Sequence, residues 1–162
     1  MEPVLAVRGI AKTFQGEGES CPALTGITFE VAPHEIVCIM GPSGCGKSTL
    51  LRIILGLEHA DAGSIQGVTG SGKGGASAAM VFQEHALFPW LSVRDNIIYG
   101  LRLAAQEVPE AEVEHRVTEL LSLTRLGSFA GSPPHQLSGG MKQRAAVARA
   151  LAVKPSILLM DE

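Results

Sequence analysis

The sequence predicts an α/β fold: a parallel sheet core, further strands ahead of it, and helices set between the core strands. Three observations lead there. A continuous apolar run, Ile36–Met40, feeds a glycine-rich turn at Gly41–Ser48, and a helix-like apolar stretch follows at Leu50–Leu57. A second apolar run, Ile157–Met160, ends in the carboxylate pair Asp161-Glu162. Between the two runs, apolar residues recur at helical spacing. Unbroken apolar strands, buried on both faces, belong to parallel sheets whose crossovers are usually helices.

Taken in order, Val4–Val7 is a short apolar strand, and Ile27, Phe29 and Val31 alternate with Thr28 and Glu30 as a half-buried strand does. Gln15–Pro22 separates the two as a turn-rich loop. Ile36–Met40, with Cys38 inside it, is the expected central parallel strand, and Leu50–Leu57 a buried helix. Ile65–Ala79 reads as loop with a weak strand. Its Gly70–Gly75 stretch imitates a phosphate loop but has no hydroxyl residue after Lys73, so a plain turn is expected. Pro109–Leu126 is an amphipathic helix with Val113, Val117, Leu120, Leu121 and Leu126 on its apolar face. Pro109 suits its first position, Glu110 and Glu112 its positive end, and Gly127 its C-cap. Gly131–Pro134 is a linker. Ser138 can cap a helix over Gly139–Val153, which Lys154-Pro155 ends.

The bulk numbers narrow the function. At 162 residues, 46% hydrophobic and 18% charged, the chain suits one globular domain with a real core. A net charge of −3 without any basic run argues against nucleic-acid binding. No apolar stretch nears the ~18 residues of a membrane span. Met1-Glu2-Pro3-Val4 lacks the basic start and apolar run of a secretory signal. Cys21, Cys38 and Cys45 show no metal-ligand spacing and are expected as reduced thiols.

The chemistry is concentrated in the glycine-rich turn. Gly41-Pro42-Ser43-Gly44-Cys45-Gly46-Lys47-Ser48 fits G-x-x-x-x-G-K-[ST] without a departure, between a strand pattern and a helix pattern. Glycines let backbone N–H groups wrap phosphate oxygens, and the helix N-terminus adds positive partial charge. Lys47 can reach the β- and γ-phosphates, and the Ser48 hydroxyl can ligate Mg²⁺. At the carboxyl edge of a parallel sheet, Asp161 is the expected Mg²⁺ holder and Glu162 the general base for an attacking water. An apolar strand merely meeting solvent is the competing reading of that pair. The upstream phosphate loop favours the catalytic one.

Leu137-Ser138-Gly139-Gly140-Met141-Lys142-Gln143-Arg144 closely resembles the signature of the ATP-binding-cassette ATPases, and the resemblance spans the chain from about Val4 to Glu162. It implies one cassette domain over residues 1–162. A P-loop NTPase (RecA-like) parallel core would carry an N-terminal antiparallel β subdomain and a helical signature subdomain inserted at about residues 82–137. It implies ATP and Mg²⁺, contacted by Gly41–Ser48 and Thr49. Gln83 would touch Mg²⁺ and the attacking water, and Phe14 would stack on adenine, with a core phenylalanine as the rival reading. Ser138, Gly139 and Gly140 would grip the γ-phosphate of ATP held by a second copy, in a head-to-tail homodimer. Glu84–Ile97, with its Phe88-Pro89-Trp90 cluster, is similar to the importer subgroup, in which this segment receives a helix of the membrane permease. The likeness leans to the nitrate, sulfonate and taurine importers, with the ferric-iron and polyamine type as the alternative. A permease, an external solute-binding protein and the cytoplasmic face of the membrane follow as partners and place, without nucleic acid. An internal packing role competes for Trp90, and a surface histidine is expected at His85. Non-transport cassettes of DNA repair or translation are disfavoured by the same cluster and by the acidic charge.

Members of this family continue past the Asp-Glu pair into a strand lying between the two core strands. A sequence ending at Glu162 is therefore expected to be C-terminally incomplete, to leave Ile36–Met40 and Ile157–Met160 without their shared neighbour, and to turn over ATP poorly or not at all. A truncated module that holds nucleotide without hydrolysis is the alternative function.

Overall fold

The computed structural model of the chain describes residues 2–16, 20–67, 77–104 and 109–161. Glu162, the Gly70–Gly75 stretch and part of the Gln15–Pro22 loop lie outside the described residues. Two compact units emerge, one running to Ala78 and including Asp161, the other covering Ala79–Met160.

In the first unit, β1 (Leu5–Gln15) is flanked by β2 (Ser20–Val31) and β3 (Ala62–Gln66), both antiparallel to it, in the order β2-β1-β3. The central strand carries the buried Leu5, Ala6, Val7 and Ile10. On β2, Ile27, Phe29 and Val31 are half-buried while Thr28 and Glu30 face solvent, as their alternation predicts. The expected loop at Gln15–Pro22 is shorter than its composition implies, because Phe14 pairs with Cys21 and Gln15 with Ser20. Helix α1 (Lys47–Ile54) buries Leu50, Leu51, Ile53 and Ile54. It stops before Leu57, which is 60% exposed.

The expected strand at Ile36–Met40 is not formed. These residues enter no ladder among the described residues, Ile36 is 94% and Met40 87% exposed, and Cys38 is exposed with them. The physical reason is pairing. A buried strand needs a neighbour for its N–H and C=O groups, and neither described sheet includes this run.

The second unit is mostly helical: α2 (Val93–Ala104), α3 (Glu110–Leu123) and α4 (Gly139–Ala152), with β4 (Ala78–Val81) beside β5 (Ile157–Met160). Val93, Ile97, Ile98 and Leu101 of α2 meet Val113, Val117, Leu120 and Leu121 of α3 and Ala145, Ala148 and Ala152 of α4 in one core. The other side of α4, Ala146 and Ala150, packs with Val81 and Leu158 of the strands. Ser138 caps α4 as expected, its Oγ accepting from the Met141 N–H at 3.4 Å.

Helix α3 ends differently from expectation. Thr124, not Gly127, is its C-cap, and Arg125 takes the left-handed conformation with φ 55°. Two bonds offset that cost, Leu126 N–H to the Leu121 carbonyl at 2.8 Å and Arg125 N–H to the Ser122 carbonyl at 3.0 Å. Leu126, fully buried, completes the motif with its apolar contact. Pro109 stands one place before the first helical residue.

Helix α2 carries a start signal that the motif reading passed over. Ser92 Oγ accepts from the Asp95 N–H at 3.0 Å, a serine N-cap, and donates to the Asp95 carboxylate at 2.6 Å. The next residue, Asn96, is wholly buried. Its side-chain oxygen accepts from the Phe88 N–H at 2.9 Å, and its amide donates to the Phe88, Leu91 and Ser92 carbonyls. One side chain thus braces the Phe88–Leu91 turn beside the turn's own Leu91 N–H to Phe88 carbonyl bond at 3.2 Å. Asn96→Ala leaves the half-buried Phe88 N–H without its acceptor and is expected to lower stability by about 1–3 kcal/mol in urea unfolding. A loss under about 0.5 kcal/mol would show that the turn does not depend on it.

Candidate nucleotide site

The phosphate loop occupies the first unit. Gly41–Cys45 are exposed, and α1 begins at Lys47 with no side-chain cap and no acidic residue in its first turn. Its first N–H groups therefore present uncompensated positive partial charge beside the loop. Lys47 Nζ donates to the Gly41 carbonyl at 2.9 Å and the Pro42 carbonyl at 2.8 Å, and lies 3.7 Å from Cys45 Sγ. The ammonium is thus folded over its own loop, at the place where phosphate oxygens could replace those carbonyls.

Gly46 fixes the loop against the sheet. It is the N-cap of α1, with φ 95°, and a Cβ there would lie 2.5 Å from the Ala23 carbonyl oxygen and 2.9 Å from Leu24 Cδ2. Only glycine combines that conformation with that approach. The contact also orders the site. Leu24 pairs with Lys12 and Cys21 with Phe14 across β1–β2, so Phe14 lies a short way along the sheet from the loop. Phe14 as a residue is 42% exposed, which removes the core-phenylalanine reading. Lys12 Nζ sits 5.3 Å from the ring centroid.

Ser48 Oγ donates to Asp161 Oδ1 at 2.8 Å, both residues belonging to the first unit. A hydroxyl and a carboxylate held this close are hard oxygen donors of the kind Mg²⁺ takes. No group of three or more His, Cys, Asp or Glu suited to a metal occurs among the described residues. These two groups therefore fit a cation that draws its other ligands from phosphate and water.

The second unit holds the remaining predicted residues. Gln83 follows β4 and is exposed, and Ser138, Gly139 and Gly140 form an exposed N-terminus of α4 with no acidic residue in its first turn. Further along α4, Arg144 Nη1 donates to the Thr124 carbonyl at 2.7 Å, so the last residue of the signature-like segment ties α4 to the end of α3. His85, half-buried with φ 61°, sits in a turn whose next carbonyl, that of Ala86, accepts from Arg149 Nη1 at 2.6 Å. Burial lowers the guanidinium pKa of Arg149 from its ordinary value. Arg149 also lies 5.5 Å from the Phe88 ring centroid, and Phe88 packs against Tyr99. Trp90 is 76% exposed, against an internal packing role.

The family described as ABC transporter matches residues 24–162. The chain belongs to the ABC transporter family. Among curated relatives of this ABC transporter chain, it is 46% identical over 165 residues to the spermidine/putrescine import ATP-binding protein PotA of Vibrio vulnificus (strain YJ016), covering 99% of this chain and 42% of that protein. It is 48% identical over 164 residues to the sulfate/thiosulfate import ATP-binding protein CysA of Methylococcus capsulatus (strain ATCC 33009 / NCIMB 11132 / Bath), covering 98% and 46%. The chain therefore spans less than half the length of these relatives. A dimeric structure of the ATP-binding cassette MJ0796 in a post-hydrolysis state with ADP and Pi superposes with a TM-score of 0.86 at 32% identity, covering 98% of this chain and 73% of that one. The P-loop α/β fold with its antiparallel β subdomain is thereby established.

Two consequences are measurable. Gly46→Ala drives a methyl into the Ala23 carbonyl and is expected to weaken ATP binding at least tenfold by equilibrium titration, or to cost about 2 kcal/mol of stability. Unchanged binding and stability would show the approach to be relaxed. Cys45 is exposed beside Lys47, so alkylation is expected to block nucleotide binding, and bound MgATP to protect the thiol. Equal labelling with and without MgATP, followed by mass spectrometry, would contradict this.

Proposed function

We propose that this protein is an ATP-binding and ATP-hydrolysing subunit that powers solute import through a membrane permease. The observation that carries the reading is the loop itself: Lys47 over the Gly41 and Pro42 carbonyls, an uncapped α1, and Ser48 bonded to Asp161. In this reading the triphosphate takes the place of the loop carbonyls as partner of Lys47, and the N–H groups of Gly44–Thr49 surround it. Ser48 and Asp161 would hold Mg²⁺, with Gln83 beside it, and that cation would neutralise charge developing on the transferring phosphoryl group. Glu162 would accept the proton of the attacking water. Ser138, Gly139 and Gly140 would contact ATP held by a second copy, which makes a head-to-tail homodimer the working form.

The exposed Trp90 beside Phe88 supports Glu84–Ile97 as the permease-facing segment. No helix among the described residues is long and apolar enough to cross a membrane, and we place the protein at the cytoplasmic face, bound through the permease, with a solute-binding protein outside. For the solute, the lean towards nitrate, sulfonate or taurine gives way. The curated relatives above are named for spermidine/putrescine and sulfate/thiosulfate import, so a polyamine or an inorganic sulfur oxyanion is the better reading. The ferric-iron and polyamine alternative is favoured in its polyamine part.

A second reading, nucleotide binding without turnover, is favoured by the exposed Ile36–Met40 run leading into the loop, which joins no sheet among the described residues. Titration with MgATP and a phosphate-release assay on the 162-residue chain separate the two. ATP binding is expected, with Lys47→Ala weakening it at least tenfold and chelation of Mg²⁺ weakening it in the parent but hardly in Asp161→Asn. Phosphate release abolished by Lys47→Ala supports the enzyme, and binding without release supports the module. Equal binding by the parent and Lys47→Ala would sink both.

A further inference from the structure

Lys12 has no role in the site described above, yet its ammonium is among the most tightly held charges of the first unit. Nζ lies 2.7 Å from Glu58 Oε1 and 3.5 Å from Asp61 Oδ1, and donates to the His59 carbonyl at 2.8 Å, with 12% of the side chain exposed. An ammonium has three N–H donors. Three acceptors already surround this one, so none is left for a phosphate. Its charge remains, and the hydrogen bond it donates to Glu58, with the charge of Asp61 added, holds its pKa above the ordinary lysine value. That charge faces the Phe14 ring, 5.3 Å away.

The same clamp fixes the backbone that carries the ring. Thr13 N–H donates to Asp61 Oδ2 at 2.7 Å, and Asp61 N–H donates to the Ala11 carbonyl at 2.9 Å. The β1–β2 register shifts on both sides of Lys12. A strand end this irregular would not by itself hold an exposed aromatic in one orientation. The Glu58–Asp61 segment supplies the restraint, and the cation covers one side of the ring through the attraction of its π face.

We propose that Lys12, clamped by Glu58, the His59 carbonyl and Asp61, is a positioning residue for nucleobase recognition: it backs one face of Phe14 and leaves the other as the surface on which adenine stacks. Lys12 touches no part of the nucleotide and acts only through Phe14. The inference rests on the reading of Phe14 as the adenine contact, and the test separates the two.

The test compares dissociation constants of the 162-residue chain for ATP and for inorganic tripolyphosphate, which has the phosphates and lacks the base. Phe14→Ala is expected to weaken ATP about fivefold or more. Lys12→Met is expected to weaken ATP about two- to fivefold, and both variants to leave tripolyphosphate within about twofold. The double variant is expected to be no weaker than Phe14→Ala alone, and Lys12→Arg to restore most of the ATP affinity. Glu58→Gln, which keeps the side-chain shape and loosens the clamp, provides a second route should Lys12→Met fold poorly, and should show a smaller, ATP-only loss. Equal losses for both ligands in Lys12→Met, or a Lys12 effect that persists without Phe14, would overturn the role of Lys12. An unchanged ratio of the two affinities in Phe14→Ala would instead overturn Phe14 as the base contact.

Discussion

Packing on two sides of α4 is the constraint on which the second unit depends. Ala145, Ala148 and Ala152 face α2 and α3, while Ala146 and Ala150 face β4 and β5. Small side chains on both sides let backbone approach backbone, and Gly100 of α2 takes this furthest, where a Cβ would stand 3.0 Å from the Arg149 carbonyl oxygen. A larger residue at any of these places would overpack a core that has no slack. The helix gains definition from its ends. Ser138 fixes where it starts, and Arg144 and Arg149 reach from it to the carbonyls of Thr124 and Ala86. The helix that starts at Ser138 is thereby held along its length.

In the first unit the corresponding constraint is the approach of Gly46 to β2. It ties the mouth of the phosphate loop to Ala23 and Leu24, and pairing across the sheet then sets Lys12 and Phe14 nearby. One close contact thus relates the Gly41–Ser48 turn to an exposed aromatic side chain. Lys47 meanwhile rests on the loop's own carbonyls. The positive charge is partly satisfied before any phosphate arrives, and the loop keeps its curl because the lysine bridges it.

Elements defined by local pattern were legible in the sequence. The Ser138 cap, the α4 span, the apolar face of α3, the alternation of β2 and the buried Leu50, Leu51, Ile53 and Ile54 of α1 all follow from spacing within a few residues. Elements that depend on a distant partner were not. Ile36–Met40 has the composition of a buried strand and lies exposed, because burial of a strand is decided by its neighbours. Gly127 looked like the C-cap of α3, but the buried side chain of Leu126 set the stopping point, and Arg125 took the left-handed place. Asn96 gave no sign in the sequence that it would be wholly buried, since its worth lies in the Phe88–Leu91 carbonyls and N–H that only the folded turn presents.

By itself the sequence determined the chemistry. The Gly41–Ser48 pattern names a phosphate loop, because those residue types at those spacings are what backbone wrapping of an anion requires, and the Leu137–Arg144 segment points to the family by its resemblance. Tertiary structure decided which side chains serve it. It put the Ser48 hydroxyl on the Asp161 carboxylate across 113 residues of chain, turned Phe14 outward, and spent every donor of Lys12 on Glu58, His59 and Asp61. A charge becomes a ligand or a support according to how many of its hydrogen bonds the fold has already taken. That number depends on contacts between segments far apart in the chain.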